Sequence, residues 1–122
     1  MRRALATLAT LLCALLLTAG CGGDSSGSSS GDSPDPKVIE VTIEGDTVTP
    51  NGERVDVAVG QDIELKVAAD ATGEIHVHSS PEQELEYHEG DTTVTIEGID
   101  QPGTVDVESH SLEKVIVQLE VR

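Results

Sequence analysis

The chain has 122 residues, with 23 Asp and Glu against seven Lys and Arg and a formal net charge of −16 at neutral pH. A surface of that sign repels nucleic acid and anionic lipid headgroups, and nucleic acid is set aside as a partner. Tyr87 is the only aromatic residue, and Trp and Phe are absent, so the stacking platforms that hold bases, sugars and flavins are missing.

At the N-terminus, Arg2 and Arg3 precede an almost unbroken run of Ala, Leu and Thr that closes in Thr18-Ala19-Gly20-Cys21. A basic start, an apolar stretch and small residues before a cysteine form the pattern of a bacterial lipoprotein signal. Read instead as a membrane-spanning helix, residues 4–17 fall short of the roughly 20 residues required. The expectation is a signal peptide over residues 1–20, cleaved so that Cys21 is acylated and holds the protein at the extracytoplasmic face of a bacterial membrane. Thr18 stands where Leu is commoner, with Leu17 one place earlier, which blurs the cleavage position and leaves export intact. Arg2, Arg3 and Cys13 leave with the signal, so five basic residues face 23 acidic ones and the mature charge is −18. With the Cys21 sulfur lipidated, no disulfide, thiolate metal site or cysteine nucleophile is left.

Residues 21–36 are the lipidation site Cys21 followed, over 22–36, by Gly, Ser, Asp and Pro alone. Such a segment buries too little apolar surface to offset the entropy of ordering, and it reads as a flexible tether spanning about 20 Å.

From Lys37 the apolar period becomes two, which is the period of half-buried strands. The runs are Ile39 to Ile43, Val55 to Val59, Ile63 to Val67, Ile75 with Val77, Leu85 with Tyr87, Val94 with Ile96, Val105 with Val107, and Val115 to Val121. Turn signals divide them at Gly45-Asp46, Asn51-Gly52, Gly60-Gln61-Asp62, Thr72-Gly73, Glu89-Gly90-Asp91 and Gln101-Pro102-Gly103. No window has helical periodicity. Residues 37–122 are therefore expected to form one all-β sandwich of about seven to eight strands.

The four histidines are the chemistry-bearing residues of this domain. His76 and His78 flank Val77, so on a strand both rings leave one face while Ile75 and Val77 leave the other. Their Cα atoms are then about 7 Å apart, close enough for two imidazoles to reach one ion. A third ligand has to come from elsewhere in the chain, and His110 and His88 are the candidates. The alternative at this point is that His76 and His78 simply occupy the solvent face of an amphipathic strand.

The segment from Gln101-Pro102-Gly103-Thr104 through Val105-Asp106-Val107-Glu108-Ser109-His110 to the final Val115–Val121 run resembles the C-terminal part of a cupredoxin. In that family a Pro-Gly-Thr turn leads into a strand ending at a copper-ligating Cys, followed by a loop with a ligand His and often a Met. The resemblance places the Cys position on Ser109, the loop His on His110 and the Met roughly on Leu112. The upstream family His falls on His76 or His78. It implies a cupredoxin-like Greek-key β-sandwich from about residue 37, with landmarks over residues 73–121. A blue-copper centre requires a thiolate and a weak axial ligand. Ser109 and Leu112 supply neither, so type 1 copper and electron transfer are not expected.

Two functions fit these residues. In one, His76, His78 and His110, supported by His88 or Glu108, bind Cu(II) or Zn(II) for capture or buffering. In the other, the domain is a degenerate module without metal that serves protein interaction or a structural role. An enzyme is not expected: the chain has no Gly-x-Ser-x-Gly elbow, phosphate-binding Gly-rich loop or His-Glu-x-x-His helix. The acid pair Glu84 and Glu86 reads as a solvated strand face.

Overall fold

Alternating apolar side chains send one face of each strand into a core and the other into water, and the chain is built on that rule. The computed structural model describes residues 34–122. The signal peptide, Cys21 and the tether up to residue 33 lie outside the described residues. Among the described residues nine strands follow one another: β1 (Lys37–Glu44), β2 (Thr47–Thr49), β3 (Glu53–Val57), β4 (Ile63–Ala69), β5 (Gly73–Val77), β6 (Gln83–Tyr87), β7 (Gly90–Ile96), β8 (Gly103–Ser109) and β9 (Lys114–Val121).

They form a four-stranded sheet in the order β2-β1-β4-β7 and a five-stranded sheet in the order β3-β9-β8-β5-β6. The β1–β4 and β3–β9 pairs are parallel and the others antiparallel. Ile39, Val41, Ile43, Ile63, Leu65 and Val67 bury the inner face of the first sheet, and Ile75, Val77, Val105, Val107, Val117 and Leu119 that of the second. These faces pack together as a single core.

The strand count exceeds the expected seven to eight because of β2. Its three residues are too short to show a period, and only Val48 is buried. It forms because Gly45 and Asp46 make a two-residue hairpin turn, with Gly45 at φ 58° and its N–H donating to Asp70 Oδ2 at 2.7 Å. The run expected over Val55 to Val59 stops at Val57, and Val59 is exposed. Here Gln61 turns the chain back: its Oε1 accepts from Ala58 N and its own N donates to Ala58 O, both at 3.0 Å.

Two local features position β5 and β8. Between Val107 and Glu108 the β8–β9 register shifts, and Ile116 becomes an extra residue on β9. Ile116 and Val117 are consequently both buried despite being adjacent. At the start of β5, Gly73 pairs with Tyr87, whose buried ring lies over it. A Cβ at Gly73 would overlap the Tyr87 hydroxyl and ring. Gly73→Ala is thus expected to cost about 1–3 kcal/mol through overpacking, read as a lower denaturant midpoint; an unchanged midpoint would show that the ring moves aside freely.

Candidate metal centre

β5 lies between β8 and β6, and its register sets His76 opposite Glu108 on one side and Glu84 on the other. Ile75 and Val77 point inward and are fully buried, so His76 and the following His78 leave the outer face of the sheet. On β8 the same parity sends Val107 and Ser109 inward and Glu108 outward. The chain then turns through residues 110–113, with Glu113 in the left-handed region at φ 51°. His110 N donates to Glu74 O at 3.0 Å and His78 N donates to Asp106 O at 2.9 Å, extending the β5–β8 ladder at both ends.

This register gathers three of the four histidines. The rings of His76 and His78 have centroids 5.0 Å apart, inclined at 53°. His110 meets His76 edge-on, at 5.9 Å and 87°. Carboxylates surround them. His78 Nε2 lies 3.1 Å from Glu108 Oε2; an ionised carboxylate only accepts, so in the neutral ring this contact favours the tautomer with the proton on Nε2 and the lone pair on Nδ1. His76 Nε2 stands 3.4 Å from Glu84 Oε1 and 3.7 Å from Glu82 Oε2, and His78 Nδ1 is 3.9 Å from Glu82 Oε1. Despite these neighbours, His76 Nε2 is enclosed and makes no hydrogen bond.

Among the described residues, no three His, Cys, Asp or Glu side chains already stand in a metal-holding arrangement. Ligand atoms that share one ion at about 2.0–2.2 Å bonds stand roughly 3.4 Å apart in a tetrahedral site. Closing this cluster on an ion therefore requires side-chain rotation, which the exposed Glu82 and Glu84 allow.

His88 is placed apart from the other three. It follows β6 at the turn into β7, four residues beyond Glu84 and so about 13 Å further along the strand, and its N–H donates to Thr92 Oγ1 at 3.1 Å. Glu82, by contrast, has no counterpart in the sequence reading, since it lies in the loop before β6 where no period applies. Its only sequence signal is the four-residue spacing from His78.

Ser109 and Leu112 test the blue-copper arrangement directly. Ser109 is fully buried on the inner face beside its partner Ile75, whereas His76 and His78 leave the outer face. Leu112 is partly buried against the core. The positions matched to the family's Cys and upstream His thus lie on opposite sides of the sheet, and among the described residues there is no cysteine. A type 1 copper centre does not fit these residues.

No family model and no curated protein matches the sequence. Among solved structures, the chain is similar to a Cu(I) form of an amicyanin variant, with a TM-score of 0.51 and 12% identity over 74% of this chain and 85% of that one. An oxidized amicyanin variant gives 0.50 at 12% identity, covering 76% and 95%. A multi-copper oxidase from Pediococcus acidilactici gives 0.50 at 14% identity, covering 75% of this chain and 26% of the oxidase. At these identities the likeness concerns the fold alone, and the fold is a cupredoxin-like β-sandwich.

The Ser109 hydroxyl has no hydrogen-bond partner, and an unpaired buried hydroxyl costs about 1–3 kcal/mol. Ser109→Ala is accordingly expected to leave thermal stability equal or higher. A clear drop in the unfolding midpoint would mean that the hydroxyl is engaged.

Proposed function

We propose that this protein captures a divalent transition-metal ion, Cu(II) or Zn(II), at an imidazole patch centred on His76, with His78 and His110 beside it. The carrying observation is the Nε2 atom of His76, which is enclosed, unbonded and flanked by two further imidazoles. A neutral imidazole nitrogen in that condition has lost its water without gaining a partner, and a metal ion is a partner that the surrounding groups suit. Imidazole and carboxylate favour borderline divalent ions, whereas Cu(I) prefers the thiolate and thioether ligands that are absent here. The formal charge of −16 raises the local concentration of cations.

In this reading the chain buffers or captures metal without passing electrons or catalysing a reaction. A lipid on Cys21 holds it at the extracytoplasmic face of a bacterial membrane, and the Gly/Ser tether sets the domain off the surface. Retention in the membrane fraction that depends on Cys21 tests the anchor. The rival reading, a cupredoxin-like interaction module without metal, draws on the lack of a closed ligand group among the described residues.

Titration of the full chain with Cu(II) or Zn(II) separates the two. The expected result is saturable binding of about one ion per chain, weakened at least about tenfold by His76→Ala and weaker at mildly acidic pH because protons compete for imidazole. Absence of saturable binding would leave the metal-free module.

A further inference from the structure

We infer that Glu82 is a metal ligand, its carboxylate closing a mixed nitrogen and oxygen site for a divalent cation between His76 Nε2 and His78 Nδ1. The inference rests on the proposed imidazole site and specifies which side of His76 the ion occupies. The two oxygens of Glu82 are divided between the two rings: Oε2 is 3.7 Å from His76 Nε2 and Oε1 is 3.9 Å from His78 Nδ1. Glu84 Oε1 adds a second carboxylate 3.4 Å from the same His76 nitrogen. Two carboxylates and two neutral imidazoles together offset the charge of a dication.

The opposite edge of His78 is already occupied. Glu108 holds Nε2 at 3.1 Å, an outer carboxylate that orients the ring and presents Nδ1 toward Glu82. The loop that carries Glu82 is also fixed on both sides. Before it, the Ser79 hydroxyl donates to Pro81 O at 2.6 Å. After it, the Gln83 side chain exchanges two hydrogen bonds with the Glu97 backbone, at 2.8 and 3.1 Å. The Glu82 side chain itself is 62% exposed, so it can swing inward from an anchored backbone.

His110 lies on the other side of His76. Its N–H bonds to Glu74 O, two residues back along β5, whereas His78 is two residues forward. An ion at Glu82 therefore sits on the His78 side of His76, and His110, which packs edge-on against His76 from the Glu74 side, is assigned the role of a positioning residue.

The test uses the full chain and Zn(II) alone, followed by calorimetry, with Glu86→Gln, an exposed carboxylate on the adjacent β6, as the control. Glu82→Gln is expected to weaken binding about 10- to 100-fold, while His110→Ala changes it less than about threefold and Glu86→Gln leaves it unchanged. In nitrogen-detected NMR, the zinc-bound atom of His78 is expected to be Nδ1. Zinc binding that needs His76 but ignores Glu82→Gln, or that uses His78 Nε2, overturns this inference and leaves the imidazole site standing. A wild-type chain that binds no zinc overturns this inference, and one that binds neither zinc nor Cu(II) overturns both.

Discussion

The register of β5 between β8 and β6 is the constraint on which the rest depends. Because side chains alternate along a strand, burial of Ile75 and Val77 obliges His76 and His78 to share the outer face. Pairing with β8 then brings Glu108 to His76, and pairing with β6 brings Glu84. A slip of one residue on β5 would bury both imidazoles and expose the two aliphatic side chains. The core therefore enforces the geometry of the candidate site, and the site does not have to hold itself together.

That geometry has an electrostatic cost. Glu74 faces Glu86 directly across the β5–β6 pair, and like charges opposite each other on a sheet are destabilising. The described part of the chain carries few cations to offset this, and two of them are engaged away from the histidines, Arg54 with Glu120 and Arg122 with Asp56. Histidines interleaved among these carboxylates leave the outer face short of positive charge and supplied with nitrogen and oxygen donors. A bound cation would relieve repulsion as it satisfies His76 Nε2, so binding and stability are linked.

Much of the fold was legible because its rule is local. Eight alternating runs are visible in the sequence, and the two-sheet sandwich follows from their length and spacing. β2 escaped because three residues cannot display a period, and the Val55 to Val59 run was overextended because the side chain of Gln61, which turns the backbone there, carries no periodic signal. The common face of His76 and His78 was equally local. The approach of His110 was not, since it depends on the β5–β8 register and on the four-residue turn after Ser109. Glu82 was invisible for a similar reason: its position comes from a loop fixed by Ser79 and Gln83. Likeness to a cupredoxin indicated the fold, but it drew attention to Ser109, whose hydroxyl faces the core, away from the outward imidazoles.

Anomalous diffraction from crystals of the full chain grown with Zn(II) tests the central claim most directly. The account predicts one strong peak on the outer face of the five-stranded sheet, about 2.0–2.2 Å from His76 Nε2. A peak at His88, at a cluster of carboxylates without an imidazole, or no ordered peak at all would contradict it.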